Sequence, residues 1–226
     1  MTGRKGDRMQ RKEYETKVLV SQMLFRLINR ERNAGFLETH PYIPVKGNLA
    51  LIFLTMDMRD KMHIRFSVAD NNFMEKMWGR PVEELYRPVL ENTMRLFPPD
   101  LITLDGLLEE IGKDTGVAFG REPKEFPKMY VLTNIMKRYG AAVLAYPGTL
   151  KKVGEMLGSD FAILPSSIHE VILMPGDFDT KDFEAFADMV RYVNREHVEE
   201  QDVLDDTVYV YRRDRDEIIL PLAEAP

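Results

Sequence analysis

An α+β domain built on a mainly antiparallel sheet is the fold class this chain predicts, on three observations. Apolar stretches of strand length come in pairs joined by short polar connections, as at 49–56 with 63–68 and at 161–165 with 170–174. Amphipathic stretches of helical period lie between those pairs, so the regular crossover array of a parallel sheet is not expected. At 226 residues the chain is long enough for one domain with its own core. We expect a single α+β domain over 13–222, its mixed sheet built from strand pairs with helices between them. A flexible basic tail at 1–12 precedes it and a short tail at 223–226 follows.

Each element has a local reason. Residues 13–33 place Val20, Leu24, Leu27 and Ile28 on one helical stripe, with Ala34-Gly35 as a stop. Residues 40–47, broken by Pro41 and Pro44, read as a loop. Residues 49–56 are apolar almost without a break, as in a strand covered on both faces. Ile64, Phe66 and Val68 then alternate along 63–68, and 57–62 is short enough for a hairpin. Asp70 or Asn71 caps a short helix ending at Trp78 and Gly79. Pro81 suits the first turn of the next helix, whose apolar face runs from Val82 to Phe97 before Pro98-Pro99. Pro88 lies inside that helix and is expected to kink or split it.

Thr103 caps a further helix with Leu104, Leu107, Leu108 and Ile111 inward. Glycine, proline and charge crowd 112–128, which we expect to be a mobile loop. Beyond it, 129–133 and 141–146 read as strands and 149–157 as a helix stopped by Gly158. The pair 161–165 and 170–174 forms a hairpin. Residues 182–194 form a helix, capped by Asp179 or Thr180, that buries Phe183, Phe186, Val190 and Val193. A last hairpin joins 207–211 to 218–220.

Composition narrows the function classes. No cysteine is present, which excludes disulfides, zinc–thiolate and iron–sulfur sites and a cysteine nucleophile, and fits a cytoplasmic setting. The longest apolar runs fall well short of the roughly 18–20 residues of a membrane span, and the polar N-terminus does not read as a secretory leader. A net charge of −6 disfavours nucleic acid as a partner. Arg4, Lys5, Arg8, Arg11 and Lys12 cluster at the start, however, and leave a phosphate-contacting tail as a third, weaker reading.

The segment ILPSSIHEVILMP at 163–175 holds the candidate chemistry. Ser166 or Ser167 as nucleophile, His169 as base and Glu170 as acid would make a hydrolase-like site. Four neighbouring residues rarely supply a nucleophile, base, orienting acid and oxyanion donors together, and the Gly-x-Ser-x-Gly elbow is absent. Serine hydroxyls at a turn and a histidine bonded to backbone explain the same residues architecturally.

His40, His63, His169 and His197 lack metal-site spacing, and Asp57, Asp60 and His63 read as a solvated hairpin turn. Gly112, Gly116 and Gly120 lack the strand–loop–helix setting of a phosphate loop. Asp177, Asp179, Asp182 and Glu184 suit a helix start, and the acidic stretch 196–206 a solvated face. Trp78 reads as a core plug. No metal or cofactor is expected.

The stretches FRLINRERN (25–33), MWGRPVEELYRPVLENTMRLFP (77–98), MYVLTN (129–134), AYPGTLKKVGEMLGSDFAILPSSIHEVILMP (145–175) and VLDDTVYVY (203–211) stand in a distinctive order. Together they resemble an uncharacterised bacterial domain-of-unknown-function family of gut anaerobes and their mobile elements, over about 18–212. Its PSSIHEV core is the most specific part. The Trp-Gly-x-x-x-Glu-Glu-Leu start at Trp78 is also distantly similar to a second uncharacterised bacterial family. Neither resemblance carries catalytic residues over. The first implies a longer N-terminal region, here expected to be reduced to the basic tail. The function expected is that of a non-catalytic cytoplasmic accessory or interaction protein with a protein partner, linked to mobile elements, with the hydrolase as alternative.

Overall fold

The computed structural model describes residues 14, 16–60, 63–115, 128–165 and 167–222. The tails at 1–12 and 223–226, Ser166 and residues 116–127 of the expected mobile loop lie outside them. Every strand pairing among the described residues is antiparallel. The α+β class is as expected, but the strands divide into two sheets.

Residues 16–21 form helix α1, and the chain then enters strand β1 (Met23–Asn29). The helix expected over 13–33 is thus corrected to a strand from Met23. In MLFRLIN every residue but Arg26 is buried. A run apolar on all sides fits a helical stripe and a two-sided strand equally well, and tertiary pairing decides between them. A short helix α2 (Ala34–Leu37) follows. Strand β2 (Tyr42–Pro44) lies inside the expected loop. The expected hairpin is β3 (Leu49–Asp60) with β4 (His63–Val68), but 57–60, expected as its connecting turn, belong to β3, with Asp57 opposite Arg65 and Asp60 opposite His63. β3 is the spine of the first sheet: β1 pairs along one edge, with Phe25 opposite Phe53, while β2 and β4 share the other.

Helix α3 (Asn71–Met77) starts at Asp70, whose carboxylate accepts from the Phe73 N–H at 2.7 Å. Helix α4 (Glu83–Leu96) runs through Pro88 as one element, so the expected split does not occur. The carbonyl deprived of a partner is that of Glu84, an exposed residue whose backbone water can reach. The buried face of α4 clamps the start of β1. Asn92 Nδ2 donates to the carbonyls of Val20, Ser21 and Met23 at 3.1, 3.2 and 2.8 Å. The Thr93 hydroxyl donates to the Val89 carbonyl at 2.7 Å and accepts the Phe25 N–H at 3.0 Å.

Strand β5 (Pro99–Thr103), where the sequence suggested only a helix stop, is an edge of the second sheet. Proline is tolerated at the first residue of an edge strand because no partner needs its missing N–H. Helix α5 (Leu104–Thr115) is capped by Thr103, whose hydroxyl accepts the Gly106 N–H at 3.1 Å. Strand β6 (Tyr130–Asn134) leads to a 3₁₀ helix, Gly140–Ala145, where a strand was expected. The short run AAVLA has no period of its own, and alanine favours helical backbone. Helix α6 (Thr149–Leu157), strands β7 (Phe161–Leu164) and β8 (Val171–Pro175) and helix α7 (Thr180–His197) follow the expectation closely. A 3₁₀ turn, Glu200–Asp202, precedes the final hairpin of β9 (Tyr209–Arg212) and β10 (Glu217–Ile219).

The second sheet runs β10-β9-β7-β8-β6-β5. Successive side chains of a strand point to opposite faces, so full burial of β7 requires a cover on each side. Ala162, Leu164, Met174 and Val210 meet Phe183, Ala187 and Val190 of α7. Phe161, Ile163, Leu173 and Tyr211 turn the other way. They join a core that continues through Leu85 and Val89 to Phe25 and Phe53 of the first sheet. No described helix is long and apolar enough to cross a membrane.

Candidate functional site

The link between β7 and β8 is docked against two other segments. The Ile168 N–H donates to the Asp202 carbonyl at 2.9 Å, and the Asp205 N–H to the Pro165 carbonyl at 2.9 Å. On the other side the Ala141 N–H donates to the Ile168 carbonyl at 3.2 Å, and the Thr133 hydroxyl to the His169 carbonyl at 2.8 Å. The polar knot is therefore a joint where β6, the 3₁₀ helix and the 200–205 strap converge.

His169 is the centre of that joint. Its Nδ1 accepts the Tyr139 N–H at 3.1 Å, so the neutral ring carries its proton on Nε2. Nε2 faces the Asp202 carboxylate at 3.7 Å, too far for a direct hydrogen bond. The Tyr139 ring stacks on the imidazole, with centroids 5.5 Å apart and planes within 16°. Ser167 is buried, and its hydroxyl accepts the backbone N–H of His169 at 2.9 Å, so it does not meet the imidazole. Glu170 lies half-buried just before β8 and takes part in none of these bonds. Ser166 lies outside the described residues. Of the four sequence candidates, the structure thus brings Ser167 and His169 together through backbone, and the nearby acid is Asp202.

The turn that presents Tyr139 is strained. Lys137 and Tyr139 both have left-handed backbone, with φ of 50° and 56°, a conformation costing an L-residue about 1–3 kcal/mol. The Asn134 side chain holds it there: Oδ1 accepts the Met136 N–H at 2.9 Å and Nδ2 donates to the Arg138 carbonyl at 3.0 Å. Ile135 and Met136 are exposed at its tip.

Two cations lean on the Tyr139 ring. The Arg26 guanidinium lies 4.9 Å from its centroid and that of Arg138 5.2 Å, the latter also 4.9 Å from the Phe66 ring. Arg26 is half-buried in the middle of β1. Among the described residues its Nη2 reaches only the Gln201 carbonyl, at 3.4 Å, and its Nε is buried with no hydrogen-bond partner. Burial is the main influence and lowers its pKa from the ordinary arginine value, against the pull of Tyr139 and Asp202. Among the described residues neither Arg26 nor Arg138 has a carboxylate within ion-pair distance.

Sequence reasoning missed Arg26, Arg138, Tyr139 and Asp202. The first falls within the helix expected over 13–33 and off its apolar stripe, and the last within the acidic stretch read as a solvated face. One signal was present: Arg26 is the only charged residue in MLFRLIN.

A model described as a family of unknown function, DUF5688, matches residues 6–213. The chain belongs to this family. Comparison with curated proteins finds no match, and comparison with solved structures finds none either. Membership of DUF5688 brings no assigned chemistry to the joint. Its capacities follow from its atoms: two guanidinium groups without carboxylate partners, an Nε2–H donor, and an aromatic plate that orients all three. Such a set is chemically able to receive an anionic group. Among the described residues no group of three or more His, Asp or Glu is placed to hold a metal ion.

Proposed function

We propose that this chain is a non-catalytic interaction protein that receives an acidic segment of a protein partner at the Arg26–Tyr139–His169 joint. The observation that carries this reading is the state of Arg26. Desolvating a guanidinium without pairing it is costly, and the cost is offset when a carboxylate arrives. Arg138 widens the positive surface. Ile135 and Met136, 57 % and 45 % exposed, supply an apolar rim of the kind protein interfaces use. The hydrolase alternative, with Ser166 or Ser167 passing a proton to His169, is disfavoured because Nδ1 and the Ser167 hydroxyl already serve backbone donors. A cytoplasmic setting and service to a mobile element complete the proposal, supported by the cysteine-free composition and by the resemblance given above.

The test is a photo-crosslinking residue in place of Met136, irradiated in the native host. One protein is expected to crosslink through an acidic peptide, and Arg26→Gln with Arg138→Gln should abolish the product while the fold persists. A crosslink indifferent to those charges would overturn the reading, as would hydrolysis lost on His169→Gln in a stable protein.

A further inference from the structure

At the opposite end of β9 the chain builds a polar cleft of about 760 Å³ between the end of α6 and the β9–β10 turn. Its walls carry Arg212, Arg213 and Arg215 against Asp160 and Asp214. The three arginines differ in commitment. Arg212 Nη1 is held by Asp160 Oδ2 at 3.0 Å. Asp160 Oδ1 accepts the backbone N–H of Arg213 at 2.9 Å, so that carboxylate is occupied on both oxygens. Arg215 reaches Asp214 at 3.7 Å and Glu217 at 3.5 Å, long contacts between exposed side chains. The guanidinium of Arg213 has no carboxylate within ion-pair distance among the described residues.

The Arg213 side chain is nevertheless held in place. Its stem lies over Gly154, in the middle of α6, where a Cβ would come within 2.8 Å of Arg213 Cγ and 3.0 Å of the Tyr211 ring. Glycine inside a helix weakens it relative to alanine, so this position favours the seating of Arg213 over helix stability. A second donor is also unused: Ser159 Oγ, in the cleft wall, is buried with no hydrogen-bond partner among the described residues.

We propose that this cleft binds a phosphate-bearing small molecule, with the Arg213 fork as principal ligand, Arg215 closing over it and Ser159 donating from the wall. A planar guanidinium matches phosphate oxygens two at a time, and a concave space of several hundred Å³ suits a small ligand. Arg213 also lies near the C-terminal end of α6, where any cation offsets the helix dipole. That role is independent of ligand and separates from binding by experiment.

Isothermal titration of the full chain with sodium pyrophosphate, and separately with inorganic phosphate, at constant ionic strength is the test. Saturable one-to-one binding of pyrophosphate is expected. Inorganic phosphate should bind more weakly if the natural ligand is a larger phosphate ester, and as tightly if phosphate itself is the ligand. Arg213→Lys keeps the charge, and with it the ligand-free melting temperature, but should weaken binding roughly tenfold through loss of the fork. Gly154→Ala should weaken binding as well, although alanine is the better helix former. Ser159→Ala, neutral for a purely structural hydroxyl, should also lower affinity. Absence of saturable heat from either anion would overturn the site, as would affinity unchanged in Arg213→Lys, Gly154→Ala and Ser159→Ala.

Discussion

At Gly140 the chain leaves left-handed Tyr139 and runs directly against two other backbones. A Cβ there would lie 2.4 Å from the His169 carbonyl oxygen, 2.8 Å from the Asn134 nitrogen and 2.1 Å from the Thr133 hydroxyl. Two of those neighbours are main chain and cannot swing aside. Gly140→Ala should therefore cost at least the ~1–3 kcal/mol typical of overpacking, read as a lower urea midpoint; an unchanged midpoint would refute the contact. It should also release His169 from Tyr139, since the first sits in the β7–β8 link and the second in the turn that the added methyl would push apart. Asp160 makes a different prediction. Burial works to raise its carboxyl pKa, but the Arg213 N–H and the Arg212 guanidinium outweigh that and hold it below the ordinary value. A carboxyl depressed in the folded state stabilises above its unfolded pKa of about 3.9, and that contribution is lost as pH falls through the folded value. The gap in unfolding midpoint between wild type and Asp160→Asn should thus be full near pH 6 and close toward pH 3. A gap independent of pH would show that the ion pair contributes nothing. Asp205 works in the opposite sense: burial raises its pKa despite the Tyr209 hydroxyl bonded at 2.5 Å, so it favours the folded state in acid and opposes it as pH rises.

Elements with strong local signals were legible. Asp70 and Asp179 cap the helices where their side chains suggested, and Asp179 shares a capping box with Asp182. The elements that misled are those where tertiary contact overrides local pattern. β1 looked helical because its apolar residues also fit a stripe, and β3 decides its state. β5 was hidden behind a proline pair that stops α4 and opens a strand at once. The joint shows the same limit: Ser167 and His169 could be singled out from one segment, but their partners come from β1, the 134–139 turn and the 200–205 strap. No spacing rule brings those together. At this scale the clamp of α4 on β1 is testable. Thr93→Val keeps the shape of the side chain and removes the acceptor of the buried Phe25 N–H, which should cost about 1–3 kcal/mol in urea unfolding. If stability is unchanged, the clamp is not energetically significant.

For the whole molecule, the α+β class and antiparallel pairing followed from strand pairs with helices between them. The division into two sheets did not, because both contribute to one apolar core and the sequence has no composition break between them. Polar, long-range bonds add to that shared core. Asn194 Nδ2 donates to the Asp205 carbonyl at 3.0 Å and to Asp206 at 2.7 Å, and Asp206 pairs with Arg32 just beyond β1. The strap after α7 therefore ties the helix under the second sheet to the edge of the first.

That edge has a further consequence. Among the described residues β1 pairs only with β3, so one side of MLFRLIN would present bare N–H and C=O groups, an invitation to a strand from another molecule. Asn92 occupies the Met23 carbonyl and Thr93 the Phe25 N–H, so two side chains of a helix stand where a neighbouring strand would otherwise add. With Arg26 as the single charge in the run, they guard the chain against self-association as well as holding its fold.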